Sequence, residues 1–578
     1  MFVKTTRRRR GDKSYEYLSL VEAVREGGKV GHRTLLRLGE VTALRESGQL
    51  DRIIAALRAH AERPWAPLDE ATASSARSVG AVAAVRTVWD QLGLAGHFDE
   101  VGRSRRLSYS LGDAVFAMVA NRLADPCSKR RLPEWLAEEV AMPAGFAAPE
   151  LDQLYWALDQ VEAAKDQSET HLYARLTDLA NLDLRLVCYD LTSTYFEGAV
   201  GPSVRFPSRA FGFSRDHRSD RPQIVIGLLT TADGIPIAHH VFAGNTADVT
   251  TLPGVLSDLK ARFGVGGICV VADRGLISAE NVEALATQGF SHVLATRLHR
   301  DPACAAALEA SSRNDAVWVP VPEADSAACD VVVEGRRYVV AASFERWRRD
   351  TTRTAELMAR AEERLNALER RVRDGELVDA AKIGRAAQRI LGDSGVGRLF
   401  DVEMGKGRFL WHYDEDAITY EQTLAGRYVL TTSLTTAEAS AAAVVRAYRS
   451  LLETEDRFRV LKDFLNLRPV RHWTERRVRG HVAVCVYASV IEALVARALR
   501  EADVRDPDVT DQHLSAPRAL RELGRVRAVT LDVEQTTVEL TTRPSFLQAR
   551  ILAALAVDTS GWDKAHITAR RGGRWSPS

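Results

Sequence analysis

A short, continuous apolar run is the feature that most constrains the fold of this 578-residue chain. Ile268 to Ala272 are all apolar, and Asp273 follows them directly. Such a run is typical of a strand that is buried on both faces of a sheet. A second strand-like run, Leu184 to Tyr189, is also followed by an acid, Asp190. The sequence therefore predicts an α/β domain with a carboxylate at the end of two strands.

The segments between these two runs suggest the order of the strands. The turn signal Asp233-Gly234 lies between two β-rich runs, which predicts a hairpin. A helical segment then leads into the second acid-terminated strand. This order of elements is that of an RNase H-like α/β domain, which has an antiparallel hairpin, a helix and strands that end in carboxylates. In such a domain, adjacent strand ends bring Asp190 and Asp273 together.

The remaining chain divides by composition and periodicity. Strand-like runs around the Gly27-Gly28 turn predict a small N-terminal β unit, and a Pro-containing linker at 63–67 follows. The fold expected is an RNase H-like core interrupted by a β-rich insertion, with an N-terminal, mainly helical region. The predicted regions are 1–75 (β/α unit with a basic arm), 76–180 (helical DNA-binding or dimerisation region), 181–300 (core, first part), 301–434 (β-rich insertion with a charged helix), 435–505 (core, second part) and 506–578 (C-terminal region).

A helix predicted over about 436–464 carries an acid in an unusual position. At helical spacing Glu455 shares a face with Leu451 and Phe458, so a carboxylate interrupts an apolar stripe. An ionised Glu is costly there unless it is paired, hydrogen-bonded or bound to a metal. Between Arg446 and His481, ten Lys or Arg residues accompany five acidic ones. This local excess of positive charge suits a surface that faces phosphates.

Asp190, Asp273 and Glu455 together suit two-metal phosphoryl chemistry. In such sites two metal ions ~3.5–4 Å apart stabilise the attacking and the leaving oxygen. Mg²⁺ takes hard oxygen ligands and completes its shell with water and substrate phosphates. Taken alone, Asp190 or Asp273 is more simply an acid that ends a strand. The pair, combined with Glu455, favours a metal site.

Composition and charge exclude several other classes of protein. The content of 46% hydrophobic and 27% charged residues is ordinary for a globular chain, and a net charge of +1 argues against a uniformly basic surface. The six cysteines form no CxxC pair, so they signal neither a zinc site nor a disulfide framework. We expect a cytoplasmic protein, because the thiols are free and a signal peptide is lacking. We expect no membrane contact, because no apolar run reaches ~18 residues.

Three sequence blocks resemble the catalytic blocks of DDE transposases from bacterial insertion sequences. They are Tyr189 to Glu197, Ala272 to Leu276 and Tyr448 to Lys462. Shorter similarities extend the resemblance over roughly 185–485, at Gly212 to Arg218, at Asn245 and at Arg468 to Trp473. The long interval between the second and third blocks is similar to that of relatives with a β-strand insertion before the glutamate.

The third block resembles a superfamily signature of Tyr, Arg, Glu and Lys, separated by two, three and six residues. Tyr448, Glu455 and Lys462 match this signature in register. Leu451 stands where the signature has Arg, and Arg449 is only nearby. The departure concerns one phosphate-contacting position and leaves the carboxylate in place.

The resemblance implies cut-and-paste movement of a DNA element, by strand cleavage at its terminal inverted repeats and strand transfer of the freed 3′-hydroxyl. Many relatives pass through a hairpin intermediate. Asp190, Asp273 and Glu455 are then expected to hold two Mg²⁺ ions, for which Mn²⁺ substitutes. Double-stranded DNA, both terminal repeats and target, is the expected partner, bound by a homodimer.

Tyr448 and Lys462 are expected, by the same resemblance, to contact phosphates near the scissile bond. Lys462 is otherwise a helix lysine with its head in solvent, and Trp473 either stacks on an extruded base or belongs to the core. The candidate DNA-contacting residues are Tyr448, Arg449, Arg459, Lys462, Arg215, His217, Arg218 and Trp473.

Two further functions stay open from the sequence. A transposase-derived protein that binds DNA without cutting it is suggested by Leu451 at the signature Arg position. A metal-dependent nuclease without strand transfer would use the same three carboxylates. Cleavage and joining assays on terminal-repeat DNA separate the three functions.

Overall fold

The computed structural model describes the chain as two compact units. One comprises 1–77, 527–543 and 559–578, and the other comprises 78–526 and 544–558. The Gly27-Gly28 turn and the linker at 63–67 that the sequence predicts lie outside the described residues. The described residues are 1–26, 29–58, 60, 71–180, 185–197, 206–263, 267–296, 301–322, 324–533, 536–562 and 566–569.

Strands and helices within the described residues are numbered in chain order. The strands are β1 (Phe2–Arg10), β2 (Lys13–Glu26), β3 (Lys29–Glu40), β4 (Thr72–Ser78), β5 (Leu186–Tyr195), β6 (Gln223–Thr231), β7 (Pro236–Ala243), β8 (Cys269–Ala272), β9 (Ser291–Ala295), β10 (Trp318–Pro320), β11 (Ser326–Val333), β12 (Arg336–Ser343), β13 (Phe400–Gly405), β14 (Arg408–Tyr413), β15 (Arg427–Thr432), β16 (Arg527–Val533), β17 (Thr536–Thr541) and β18 (His566–Ala569). The α-helices are α1 (Val41–Glu46), α2 (Gln49–Arg58), α3 (Gly80–Gln91), α4 (Leu94–Ser104), α5 (Leu111–Ala124), α6 (Leu132–Glu134), α7 (Leu151–Ala163), α8 (Lys165–Ala180), α9 (Leu252–Phe263), α10 (Ala279–Gln288), α11 (Pro302–Ser311), α12 (Phe344–Arg373), α13 (Ala380–Ser394), α14 (Glu415–Leu424), α15 (Ala441–Arg449), α16 (Leu451–Arg459), α17 (Glu475–Glu501), α18 (Ala516–Leu523) and α19 (Phe546–Ala554).

The N-terminus begins with a β-sheet, so the prediction of a mainly helical N-terminal region is wrong for these residues. Strands β1, β2 and β3 form an antiparallel sheet in that order. Runs such as Tyr15 to Val21 are rich in aromatic and aliphatic residues, a composition that favours extended backbone. All of β1, including Arg7 to Arg10, is exposed. A second sheet in the same unit has the order β18-β17-β16-β4.

The larger unit is built on a nine-stranded sheet with the order β10-β11-β12-β15-β9-β8-β5-β6-β7. Strand β8 lies between β5 and β9 and is parallel to both. The predicted hairpin is formed by β6 and β7. Its turn contains Gly234 at φ +75°, a conformation that glycine adopts without strain.

Both faces of this sheet are covered, as the apolar run predicts. Successive residues of a strand point to opposite faces. Val187 and Tyr189 of β5 pack in one core cluster with Leu256 of α9. Cys188, between them, packs in a second cluster with Val445 of α15 on the opposite side. A strand with apolar residues on both faces is held in place by both layers.

Helix α17 is buried along most of its length and packs against α5 and α7. A Cβ at Gly480 would lie 2.2 Å from the Leu158 carbonyl oxygen, so the close approach to α7 requires glycine. Among the described helices, α17 alone is long and apolar enough to cross a membrane by length and composition. However, 78% of its most apolar window is buried inside the protein, as in a core helix.

The segment predicted as a β-rich insertion, 301–434, contributes to two structures. Strands β10 to β12 and β15 continue the core sheet, because β15 pairs with β9. The chain leaves this sheet at α12 and returns after α14. In between, Leu365, Ile383 and Phe409 belong to a separate small core formed by α12, α13 and the β13-β14 hairpin.

Candidate active site

Asp190 and Asp273 follow neighbouring positions of two adjacent parallel strands. Tyr189 of β5 pairs with Ala272 of β8, and each aspartate comes one residue later. The prediction that β5 ends at Asp190 is wrong. The strand continues to Tyr195, because residues 191–195 still pair with β6. Asp190 thus marks the point where the parallel partner ends.

Glu455 lies at the surface of α16 and not on a buried stripe, so that prediction is wrong. Leu451 and Phe458 are 7% and 6% exposed, whereas Glu455 is exposed. The buried neighbour is Thr454, whose hydroxyl forms a 2.7 Å hydrogen bond with that of Thr230 on β6. The helix therefore turns a small polar residue to the sheet and leaves the carboxylate accessible.

Two of the three carboxylates, Asp190 and Glu455, have raised pKa values, and the charge of Asp273 contributes to both shifts. Burial raises the pKa of Asp190 to about 7, and the charges of Asp273 and Glu455 add to this shift. The Leu191 N–H, which donates to Asp190 Oδ1 at 2.7 Å, and the Arg215 guanidinium oppose it. Partial burial, followed by the charge of Asp273, also raises the pKa of Glu455. Arg215, near Asp190, and Arg459, near Glu455, thus offset these shifts only in part.

This donor set fits hard divalent cations. Mg²⁺ prefers carboxylate oxygens, usually takes only one or two from the protein, and adds water and substrate phosphates. Among the described residues, no three His, Cys, Asp or Glu side chains already form a closed metal-binding cluster. Like charges repel, whereas two cations that share the carboxylates would offset the repulsion. The residues that would hold them are Asp190, Asp273 and Glu455.

Tyr448 contacts one of these acids directly. Its Oη donates a hydrogen bond to Asp273 Oδ1 at 3.1 Å. Burial and then the charge of Asp273 raise the pKa of Tyr448 well above its usual range, so the phenol stays protonated and can donate. Its ring packs on that of Tyr428, with the centroids 5.5 Å apart. The partner of Tyr448 in this structure is a carboxylate, and its contact with DNA stays a prediction.

Lys462 belongs to an ion-pair cluster whose acid the sequence analysis does not identify as a site residue. Its Nζ lies 2.7 Å from Asp216 Oδ1, which the Arg468 guanidinium also contacts. The Asp216 side chain is 4% exposed, and its Oδ2 has no hydrogen-bond partner among the described residues. Burial lowers the pKa of Lys462, and Asp216 opposes this effect. The only sequence signal was an acid inside the basic run of the 215–218 loop.

The other residues of this loop differ in their partners. The Arg215 guanidinium lies 2.5 Å from Asp248 Oδ2 and within electrostatic reach of the carboxylate site. Arg218 pairs with Asp220 at 2.8 Å, inside the loop itself. His217 is exposed and has a positive φ of 56°. The structure thus brings Arg215 to the site and gives Arg218 a local partner.

The last three candidate DNA-contacting residues are at the surface. Arg449 is exposed, and Arg459 pairs with Asp456 at 2.6 Å. Trp473 is 65% exposed, and the Arg209 guanidinium lies 5.9 Å from its ring centroid. The interpretation of Trp473 as a core residue is therefore wrong, and its stacking on a base stays a prediction.

Comparison with known families identifies two regions of the chain. Residues 201–491, about half of the chain, match the transposase DDE domain, and 3–71 match the N-terminal domain of IS1634 family transposases. The match to the transposase DDE domain includes Asp273 and Glu455 and begins after Asp190. No curated protein sequence matches the chain.

Two solved structures are similar, but both likenesses are too weak to support an argument. A cryo-EM structure of the piggyBac transposase synaptic complex with hairpin DNA is 9% identical, with a TM-score of 0.33 over 77% of this chain and 79% of that chain. A Mos1 transposase paired-end complex with the left transposon end is 12% identical, with a TM-score of 0.14 over 31% of this chain and 57% of that chain.

The family assignment therefore rests on the two domain matches. Together they cover the N-terminal β-sheet and most of the core that carries the carboxylates. DDE domains belong to enzymes of phosphoryl transfer, which agrees with the hard oxygen ligands of the site. This chain belongs to the DDE transposases and has the N-terminal domain of the IS1634 family.

Proposed function

We propose that this transposase cleaves and rejoins DNA at the terminal inverted repeats of an insertion sequence, with two Mg²⁺ ions held by Asp190, Asp273 and Glu455. The observation that carries the proposal is that Asp190 and Asp273 follow paired residues of two adjacent parallel strands, with Glu455 within electrostatic reach of both. Three carboxylates this close together repel one another, and among the described residues Arg215 and Arg459 offset the raised pKa values only in part. Such a group becomes favourable when cations and phosphates complete it.

The strand order supports an RNase H-like core. Five neighbouring strands run in the order β9-β8-β5-β6-β7. The β5-β6-β7 part is antiparallel, and β8 and β9 add parallel to β5. This is the order expected from a hairpin followed by a helix and two further strands. It puts the first two acids on adjacent strands at the centre of the sheet.

When bound, the metal ions supply an activated attacking oxygen and stabilise the leaving oxygen. The protein residues orient the ligands. The Leu191 N–H donates to Asp190 Oδ1, and the Tyr448 hydroxyl donates to Asp273 Oδ1, so one oxygen of each carboxylate is held in place. Lys462 and Arg468 provide cations for the DNA backbone, and both pair with Asp216 in this structure.

The basic segment 446–481 and the N-terminal arginine-rich strand suit a duplex-DNA partner, bound by a homodimer in the complex. Cytoplasmic localisation is part of the proposal. It agrees with six free cysteines, of which five are buried.

The test is a cleavage and joining assay on DNA that carries the terminal repeats of the element, with Mg²⁺ or Mn²⁺. The proposal expects nicking, then joining of the new 3′ end to target DNA, and loss of both in Asp190→Asn, Asp273→Asn and Glu455→Gln. Binding without cleavage would instead support a non-catalytic DNA-binding protein. Cleavage without joining would support a nuclease. Unimpaired cleavage by the three variants would show that the carboxylates are not the metal ligands.

A further inference from the structure

A cavity of about 910 Å³ opens beside the carboxylate site, on the side of α12. Asp273 and Tyr448 line it from the core. Arg346 and Arg353, two turns apart on one face of α12, line it from the segment that leaves the core sheet. The cavity thus joins the proposed reaction site to a helix outside the sheet.

Positive charge predominates in the lining of this cavity. Its acids are Asp273, Asp350 and Glu421, and its arginines are Arg274, Arg346, Arg353, Arg398 and Arg427. The pairs between Arg346 and Asp350, 3.6 Å, and between Arg398 and Glu421, 2.6 Å, are partly exposed. Ion pairs of this kind contribute little to stability, so a phosphate can replace the carboxylate at small cost.

Arg353 differs from the paired arginines. It is exposed and forms no hydrogen bond or ion pair with any residue in the described part of the chain. An arginine on a cavity wall keeps all of its planar donor groups available for an anion, and phosphate accepts two of them at once. Arg353 is therefore a free phosphate-binding group next to the reaction site.

Arg346 is linked to the reaction site through two tyrosines. Its guanidinium carbon lies 5.0 Å from the centroid of the Tyr428 ring. Tyr428 packs on Tyr448, which donates its hydroxyl to Asp273. Stacking on an aromatic ring restricts the guanidinium and reduces the entropy lost when it binds an anion. Arg346 is thus held at a fixed position relative to Asp273.

The start of α12 is fixed by close backbone contacts. A Cβ on Gly426 would lie 2.5 Å from Trp347 Cβ, and the residue has φ +72°, so only glycine fits. The Gly426 N–H donates to Asp350 Oδ2 at 3.2 Å. The Ser343 hydroxyl accepts from the Arg346 N–H at 3.3 Å and caps the helix. These contacts determine the direction in which α12 presents its arginines.

We propose that Arg346 and Arg353 form a second phosphate-binding surface, which binds the DNA backbone a few nucleotides from the phosphate that reacts at Asp273. The inference rests on the proposed function, because DNA must enter the site for this surface to meet it. The two arginines are seven positions apart, which corresponds to about 10.5 Å along the helix. This distance corresponds to roughly three base-pair steps of duplex DNA. The surface contacts backbone and not bases, so it strengthens binding regardless of sequence.

The test compares Arg346→Ala and Arg353→Ala with Arg348→Ala and Arg349→Ala, which are exposed on the same helix but do not line the cavity. Affinity for terminal-repeat DNA and for unrelated DNA is measured across a salt series. Each cavity variant is expected to weaken binding to both DNAs by about tenfold at low salt. Each should also reduce the slope of log affinity against log salt by about one. Arg346→Lys should restore part of the affinity, since it keeps the charge but loses the planar fork.

Equal affinities and slopes for the cavity and control variants would overturn the inference. Arg353→Ala decides the matter if Arg346→Ala fails to fold, because the Arg353 side chain is exposed and unpaired. The proposed function is tested separately by the three carboxylate variants. Carboxylate-dependent cleavage with unchanged Arg346→Ala and Arg353→Ala binding would refute the phosphate surface alone. Loss of binding in both arginine variants, with cleavage independent of the carboxylates, would refute only the proposed chemistry.

Discussion

Glu169 and Asp190 are carboxylates in the same structural unit, but their surroundings shift their pKa values in opposite directions. Burial opposes ionisation of Glu169, yet its neighbours His239, Lys165 and Arg262 hold its pKa well below the usual range. Burial raises the pKa of Asp190 to about 7, and the charges of Asp273 and Glu455 add to this rise, while Arg215 opposes it. The first carboxylate is compensated by the protein itself and joins elements of the fold. The second is left for a ligand to compensate.

The contacts of Glu169 show what full compensation requires. Its Oε1 accepts the backbone N–H of His239 at 3.0 Å and lies 2.7 Å from the His239 ring. Its Oε2 lies 2.7 Å from Lys165 and 2.5 Å from Arg262. Every oxygen has a partner, and three elements, α8, β7 and α9, meet at one side chain. Within the described residues no comparable set of cations surrounds Asp190, and the charge of Arg215 opposes only part of the rise in its pKa.

The largest expected effect is on the rate of DNA cleavage and is expected for Asp190, not for Glu169. Asp190→Asn should lower the rate of DNA cleavage at least about 10³-fold, since a metal supplies several kcal/mol and each ~1.36 kcal/mol is a factor of ten. Its thermal unfolding midpoint should stay the same or rise, because a like-charge repulsion is removed. Single-turnover nicking and a melting curve measure the two quantities. A melting point that falls together with activity would make Asp190 a structural residue like Glu169.

Glu169→Gln should show the converse pattern. Removing this charge from a buried network takes away the carboxylate that Lys165 and Arg262 share and costs about 3–5 kcal/mol of the free energy of unfolding. Cleavage per folded molecule should stay near the wild-type rate. Denaturant unfolding monitored by circular dichroism gives the first quantity. An unchanged midpoint would mean that the network does not stabilise the fold.

The stabilisation by Glu169 should depend on pH in a defined direction. The folded-state pKa of Glu169 is depressed, so its contribution is complete above the unfolded value of about 4.3 and is lost as pH falls towards the folded value. The difference in unfolding free energy between wild type and Glu169→Gln should therefore shrink below about pH 4.3. Glu138→Gln, at an exposed position, serves as the control and should show no such change. A difference that grows on acidification would reverse the assigned sign.

Tyr448→Phe should have a smaller effect. It removes the hydrogen bond to Asp273 while keeping the packing on Tyr428, so cleavage should slow by about five- to tenfold. Tyr420→Phe, at an exposed tyrosine of α14, is the matched control. Equal rates for the two variants would indicate that the hydroxyl does not orient the carboxylate.

The smallest effect is expected at Asp216, a third kind of carboxylate that compensates two cations. Asp216→Asn frees Lys462 and Arg468 and should raise affinity for unrelated DNA by roughly threefold, with a steeper salt dependence. Asp220→Asn changes an exposed pair in the same loop and should leave both quantities unchanged. Weaker binding by Asp216→Asn would mean that this acid positions Lys462 for DNA and does not compete with it.

The sequence predicts the local part of this architecture well. Apolar runs and a turn signal are sufficient for β8 and the β6-β7 hairpin, because the strands and their turn lie close together in the chain. Long-range pairings are different. Residues after Asp190 stay in β5 only because β6 accompanies them, and no local pattern in 301–434 indicates that β15 joins β9.

The candidate site shows the same limit. The pair of strand aspartates follows from the sequence, but the exposed position of Glu455 does not. A break at Ser450 separates α15 from α16, so helical spacing does not determine which face of α16 meets the sheet. Thr454 takes the buried position, held by Thr230. The contact between Lys462 and Asp216 spans 246 residues, and neither segment carries a signal for the other.

The most direct test of the central claim is Mn²⁺ binding, measured by electron paramagnetic resonance on the protein bound to terminal-repeat DNA. Wild type and Asp216→Asn should bind two Mn²⁺ ions per active site, as two-metal sites do. Asp190→Asn, Asp273→Asn and Glu455→Gln should each weaken this binding by at least about tenfold, a loss expected when a charged oxygen ligand is removed. Equal Mn²⁺ affinity in all five proteins would contradict the account, because the three carboxylates would then not be the metal ligands.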